Sequence, residues 1–310
     1  MNSSYFLFLT IGTVICTGLF AWRLKRSGLK TTAAAAALPL MVLLGAVSAK
    51  LLYFLVKLPE QIDNYGLGAL IRTSPAEFSF VGGCAGVVLA VLLAARLTKQ
   101  KAGAVLDAFA PCGALLAAVI RGAEGLLDPM SLVGIGDVVM NEQHCFFPLA
   151  VQNEMLYAWF YAVFLLEAVL ALIVAAAGFL LTWKRAYATG RVFLHTALFL
   201  ALPQIFSERM LGQCPKWGFV RIEQLMCALI VFAVILYACI RRGTLKAYVP
   251  ALLCLLCAAV LIWIEFTLDN KLLFGIELST PACYCVMIAT LCCMAGLSVF
   301  SYHRLNQEKK

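Results

Sequence analysis

Charge is scarce in this chain. Of its 310 residues, 13% are Asp, Glu, Lys or Arg and 63% are hydrophobic. A soluble domain carries about 25% charged and about 45–50% apolar residues. One water-facing core cannot take up the excess, so the soluble class is excluded. Histidine is limited to three copies. None stands near Cys283-Tyr284-Cys285 or Cys292-Cys293, so the spacing of a zinc site is missing and no metal is expected. A repeating unit of about 20–50 residues is also missing, which excludes solenoids and propellers. No basic residue precedes the apolar run Tyr5–Trp22, whereas Arg23, Lys25, Arg26 and Lys30 follow it. That is the reverse of a secretory signal, and an uncleaved helix is expected.

What the chain does have is length in its apolar runs. Nine stretches approach the roughly 17–25 residues that cross a bilayer as a helix: 5–22, 33–56, 79–95, 104–120, 155–183, 192–208, 221–240, 248–266 and 282–301. The expected class is an all-α, polytopic transmembrane helix bundle of about nine spans. The net charge of +8 would suit nucleic acid, but its distribution does not. Sixteen of the 24 Lys and Arg residues fall in the connections on one side, seven on the other, and Lys50 lies inside a span. The positive-inside rule then puts the N-terminus outside and the C-terminus inside. Most of the 13 cysteines lie within spans, where they act as small hydrophobes. Cys145 and Cys214 fall in outer connections and could pair if that face is oxidising.

The inner connections are short and basic; the outer ones are longer and more varied. Leu58–Phe78 mixes apolar residues with Glu60, Asp63, Arg72 and Glu77, and reads as a piece lying on the membrane surface. The longest connection, about 121–154, holds Glu124, Asp128, Asp137, Glu142, His144 and Glu154 among Leu, Val and Phe. Connections that long are usually functional or disordered, and this composition favours function. Ala33–Ala37 reads as close helix packing. The stretch Ser79-Phe80-Val81-Gly82-Gly83-Cys84-Ala85-Gly86 places three poor helix formers at the start of a span. Either a neighbouring helix packs closely there, or a backbone must approach a bound molecule.

Ionisable residues within spans are costly and mark sites by default. Lys50, Arg121, Gln204, Glu208, Arg209, Arg221, Glu223 and Gln224 all fall toward the outer half, level with the glycines. A cationic cluster at headgroup depth suits a phospholipid phosphate, which arginine can grip with two parallel hydrogen bonds. Plainer readings stand beside this one. Lys50 could snorkel to the interface, Arg121 and Glu124 could be a structural pair, and Glu208-Arg209 a solvated helix end. Asp107 complements the dipole of its own helix in the favoured reading. Glu167 is a paired or protonated acid or a member of a proton relay, and His195 is interfacial rather than catalytic.

These residues resemble the prolipoprotein diacylglyceryl transferase family over about residues 5–240. Its second helix carries Gly-Arg-x-Gly-Tyr, similar to Ala49-Lys50-Leu51-Leu52-Tyr53. Its third begins Ser-Phe-His-Gly-Gly, matched by Ser79-Phe80-Val81-Gly82-Gly83 except for the histidine. Asp107, Pro111 and Arg121 reproduce the spacing of the fourth helix, with Glu124 where the family has asparagine. The family's Arg-x-x-x-Glu-x-x-Arg reads here as Gln204, Glu208 and Leu211, and Gln224 resembles the glutamine opening the seventh helix.

The resemblance implies a core over 1–243, an additional two-helix extension over 244–310, and a multi-pass protein of the bacterial plasma membrane. It further implies transfer of a diacylglyceryl group from phosphatidylglycerol to the lipobox cysteine of a prolipoprotein at the outer face. Catalytic roles then fall to Arg121, Glu208 and Glu124. Substrate contacts fall to Lys50, Tyr53, Gly82, Gly83, Gln204, Arg209, Arg221 and Gln224. The partners would be an anionic phospholipid and a lipobox-bearing precursor, with no cofactor and no nucleic acid. The alternative is a member that keeps lipid or lipopeptide binding without the chemistry, since Val81 cannot ionise.

The charge asymmetry makes a direct prediction. Alkaline phosphatase fused within the 121–154 connection is expected to be active, and fused after Arg26 or Lys310 inactive.

Overall fold

The structure is a computed structural model that describes residues 3–72, 77–127, 133–183, 190–212, 214–217, 220–269 and 278–307. Asp128, residues 73–76 of the surface segment, and the basic residues Lys184, Arg185, Lys271, Lys309 and Lys310 lie outside them. Ten α-helices account for most of the described chain: α1 (Ser3–Arg26), α2 (Thr32–Val56), α3 (Leu58–Tyr65), α4 (Phe80–Leu97), α5 (Ala102–Leu127), α6 (Val163–Thr182), α7 (Arg191–Met210), α8 (Ile222–Arg242), α9 (Val249–Leu268) and α10 (Thr280–Gln307). Two small antiparallel pairs complete it, β1 (Ala150–Asn153) with β2 (Ala158–Tyr161), and β3 (Lys216–Trp217) with β4 (Val220–Arg221).

The all-α bundle expected from apolar run lengths is what forms. Among the described residues, eight helices are long and apolar enough to cross a membrane. The ninth long helix, α7, stands where the sixth span was expected. It is 20 residues long and carries Arg191, His195, Gln204, Glu208 and Arg209, so it is not one of the eight. The fifth span needs correction. Residues 155–161 are apolar but not helical, because Asn153 Oδ1 accepts the backbone amides of Met155 and Leu156, both at 3.1 Å. That closes a turn and sends β2 back along β1, and α6 begins only at Val163. The surface segment is the short helix α3 followed by a 3-10 turn, Gly66–Leu70. At its start the Lys57–Glu60 hydrogen bond of 2.9 Å holds the lysine ammonium above its ordinary pKa.

The chain packs as two compact units, residues 1–196 with 210–223, and residues 197–209 with 224–310. In the first, α2 lies along α4, and α5 packs on α1 and α6. One of its cores joins Phe20 and Leu24 of α1, Ala33, Ala34, Ala37 and Met41 of α2, Ala90, Val91 and Ala94 of α4, and Val105, Ala108 and Phe109 of α5. The alanine run of α2 is therefore a packing surface. Arg23, expected as a basic flank, is buried. Its Nε donates to the Ala108 carbonyl at 2.9 Å and its Nη2 to the Thr182 hydroxyl at 2.9 Å, tying α1 to α5 and α6. In the second unit α9 packs on α10, with Ile264, Met287 and Met294 fully buried.

The glycines at the start of α4 find their explanation in α2. A Cβ at Gly82 would stand 2.8 Å from the Ser48 carbonyl oxygen, and one at Gly86 would overlap the Leu44 carbonyl. These two residues, four apart on one helical face, let the backbones of α2 and α4 touch. Gly83 points less directly at α2, where an added Cβ would meet Ala49 Cβ at an ordinary 3.6 Å. Of the two readings of this stretch, close helix packing accounts for Gly82 and Gly86.

Filling that contact should be costly. Gly86→Ala is expected to destabilise the chain by about 1–3 kcal/mol, the usual penalty of overpacking, read as a lower midpoint of thermal unfolding in detergent. Gly18→Ala, inside α1 at a position with nothing within 4 Å, should not lower the midpoint and should raise it slightly, since alanine is the better helix former.

Candidate functional site

Several buried polar residues of the first unit stand at the start of α4 and the end of α5. Ser79 caps α4: its hydroxyl accepts the Gly82 amide at 3.0 Å and donates to Glu223 Oε1. Both Ser79 and Glu223 are buried. Phe80, the next residue, lies under Arg121, whose guanidinium carbon stands 3.8 Å from the ring centre. This cation–π contact is one of those that fix the arginine. Its Nη1 reaches Glu124 Oε2 at 3.0 Å, one turn along α5, and its Nε lies 2.9 Å from Glu167 Oε2 on α6. Glu167 is thus a paired acid.

The sequence spacing makes this arrangement possible. Arg121 and Glu124 are three apart on one helix and face the same way. Glu167 is five residues into α6, close enough to the helix start to reach the end of α5. Gly125 lets α6 come in, because any Cβ there would overlap the Phe164 ring. With both carboxylates ionised the trio carries one net negative charge. In a place of low dielectric, that is a strongly interacting group.

Lys50 is a second buried cation, and it does not snorkel. Its ammonium meets Glu77 Oε2 at 2.6 Å, with both side chains about nine-tenths covered, and stands 5.6 Å from the Phe78 ring centre. Arg72 approaches the other oxygen of Glu77 at 3.9 Å and stacks on Tyr65. Tyr53, one turn along α2 from Lys50, is half-buried. Arg221 is buried on β4, donating to the Leu211 carbonyl at 3.3 Å and to Cys214 Sγ at 2.9 Å. Cys145 and Cys214 are both free thiols. Val81, where the resemblance has histidine, is 6% exposed, and Leu211, in place of an arginine, is equally covered.

In the second unit Gln204 donates to Glu208 Oε1 at 2.8 Å. Glu208 is 1% exposed, so it is not part of a solvated helix end. Arg209 pairs through Nη1 with Asp269 at 2.8 Å and with Glu265 at 3.5 Å. The other Glu265 oxygen accepts from Gln224 at 2.8 Å, and Gln224 also donates to the Ile205 carbonyl. Glu265 of α9 and Asp269 just beyond it thus bind two residues expected to touch substrate.

Two sequence readings change here. Asp107 was expected to serve the dipole of its own helix, but it sits more than a turn inside α5. Its carboxylate instead accepts the amides of Gly190 and Phe193 at 2.9 and 3.0 Å, capping the start of α7. The expected cluster of cations is a set of ion pairs, since Lys50, Arg121 and Arg209 each face at least one carboxylate. His195 Nδ1 contacts the carbonyl of Arg191 on its own helix at 2.7 Å, in keeping with a non-catalytic place. Glu265 went unnoticed although the signal was present, as a lone acid in the apolar run Leu261–Leu268. Ser79 gave no such signal, because a serine before a helix is ordinary capping chemistry.

A family model described as prolipoprotein diacylglyceryl transferase matches residues 3–240. No curated protein matches the chain. The matched segment contains α1 to α7 and all but the last two residues of α8, and it leaves α9 and α10 outside. More than three-quarters of the sequence is covered, including Arg121 with its two glutamates, and the chain belongs to the prolipoprotein diacylglyceryl transferase family.

Proposed function

We propose that the chain transfers a diacylglyceryl group from phosphatidylglycerol to the lipobox cysteine of a prolipoprotein, at the outer face of a bacterial plasma membrane. The observation that carries this reading is Arg121, buried at the end of α5 in the family's spacing from Asp107 and Pro111 and fixed by Glu124, Glu167 and Phe80. In the reaction the cysteine sulfur attacks the glyceryl carbon that bears the phosphate. The carbon–oxygen bond breaks, and glycerol phosphate leaves with the electron pair. Charge grows on the phosphate oxygen, and a fixed guanidinium stabilises it without reorganising.

The thiol proton needs an acceptor. Glu124 is our choice, because it touches Arg121 directly. When Glu124 takes the proton, the trio passes from one net negative charge to none, just as negative charge builds on the leaving group. Glu208, buried and held by Gln204, is a second candidate base. Lys50, Tyr53, Gly83, Gln204, Arg209, Arg221 and Gln224 would serve substrate binding. The cations among them would have to exchange a carboxylate partner for the phosphate. Gly82 would serve by holding α4 on α2.

A second reading has its own support. Val81 is buried and cannot ionise where the family resemblance has histidine, and Lys50 and Arg209 are already neutralised by acids. A member that binds lipid or lipopeptide without turning it over would have these features.

The test is to incubate the purified full chain in phosphatidylglycerol nanodiscs with a lipobox peptide and weigh the peptide. Addition of a diacylglyceryl group is expected, falling by about 10²–10³ in Arg121→Lys, the usual loss for one electrostatic donor. Glu124→Gln should slow it as well while leaving lipid binding intact. An unmodified peptide, with an active family enzyme working alongside, would favour the second reading. Activity gained by Val81→His would then show a dormant site.

A further inference from the structure

The run Met155–Tyr161 has the apolarity of a membrane span and the shape of a hairpin. Folding does not use that apolarity at the tip. Met155 is 70%, Leu156 54% and Tyr157 90% exposed, and Phe146, Phe147 and Leu149 are exposed beside them. Between Cys145 and Val151, and again between Met155 and Leu166, no Asp, Glu, Lys or Arg occurs. An exposed patch of this kind on a membrane protein calls for an apolar partner.

Three features say which partner. The first is position. β2 ends at Tyr161 and α6 begins at Val163, so the tip at Tyr157 is six residues from a membrane-crossing helix. At no more than about 3.4 Å per residue it cannot lie more than about 20 Å from the point of entry. The base is tied to that point by the Phe164 amide, which donates to the Gly134 carbonyl at 2.7 Å, and by the Ala162 amide, which donates to Leu149 at 3.0 Å.

The second is backbone chemistry. In a poorly hydrated layer an unsatisfied amide is expensive. The tip amides of Met155 and Leu156 both donate to Asn153 Oδ1, and Asn153 itself is buried. Along the strands Val151 pairs with Phe160 and Asn153 with Ala158, while the amides of Ala150 and Tyr161 donate to the carbonyls of Phe146 and Asp137. The third is residue type. Tyr157, Trp159 and Tyr161 belong to the aromatic class that collects at the membrane–water boundary.

We propose that the β1–β2 tip, Met155-Leu156-Tyr157 with Phe146 and Phe147 alongside, inserts into the interfacial layer of the leaflet that α6 enters, its partner being bilayer phospholipid. The insertion does not depend on whether the chain is a transferase. It does bear on the site. A Cβ at Gly134, in the same connection, would lie 3.6 Å from Glu124 Oε2, so the connection that carries the hairpin also passes beside the Arg121–Glu124 pair.

The test uses the full chain in phosphatidylcholine–phosphatidylglycerol nanodiscs with 4-(trifluoromethyl)phenylalanine at position 157, and separately at position 156. Fluorine resonances are recorded with a nitroxide on the lipid acyl chain or with a water-soluble gadolinium chelate. Loss of signal to the lipid nitroxide and survival with gadolinium is the expected result. Loss to gadolinium alone would overturn the proposal. So would protection from both, which would mean the tip is covered by protein, such as a second copy. Amide exchange of the unsubstituted chain gives an independent reading: residues 154–158 should exchange more slowly in nanodiscs than in a soluble amphipol belt, and equal rates would also overturn it.

Discussion

A guanidinium buried beside a membrane cannot stand alone, and the way Arg121 is compensated organises the first unit. Two carboxylates from different helices meet it within 3.0 Å, and an aromatic ring closes one face. Losing one partner of such a buried group costs about 3–5 kcal/mol. The end of α5 is therefore bound to the first turns of α6, which must begin where Glu167 can reach. Gly125 and the fully buried Phe164 fit that junction. The connection between the two helices then has to fold back on itself, and the β1–β2 hairpin is how it does so. Ile135, Phe160, Ala162 and Phe164 form a small core of their own beneath it.

The same demand runs through the rest of the molecule. Lys50 takes Glu77, Arg23 takes a carbonyl and a hydroxyl, and Arg209 takes Glu265 and Asp269. In the proposed reaction an anionic lipid head would meet Lys50, Arg121 and Arg209 already paired with carboxylates. Binding there would be an exchange of one anion for another, with little surplus positive charge to draw it in. Chemistry at such a place depends on which carboxylate holds a proton at each moment. That is why Glu124 matters as much to the proposed reaction as Arg121. The acids at the end of α9 add a further consequence. The end of α9, outside the family match, supplies partners of Arg209 and Gln224, so this helix is joined chemically to residues of α7 and α8.

How far the residues alone could be read depended on how local each question was. The long helices and, apart from the start of α6, their approximate positions followed from the length of apolar runs, because a bilayer demands a certain length of uncharged chain whatever lies next to it. The family followed from spaced motifs such as Asp107, Pro111 and Arg121. Glu167 stood out as an intramembrane acid needing a partner, and it has one. The partner's identity was not legible, since Arg121 and Glu167 lie 46 residues apart and only the packing of α5 on α6 joins them.

By itself, then, the sequence determined a helical membrane protein of this family, with its polar residues grouped at the ends of particular helices. Tertiary structure decided what those residues touch. Gly82 and Gly86 turned out to face α2, Asp107 to cap a helix more than 80 residues later, and Lys50 to sit on Glu77. The apolar stretch from Met155 to Tyr161 became a hairpin once one buried asparagine took its turn amides. The physical reason is common to all four. Apolar length is a property of a segment and its solvent, whereas a hydrogen bond, an ion pair or a close contact belongs to two segments, and only the fold settles which two meet.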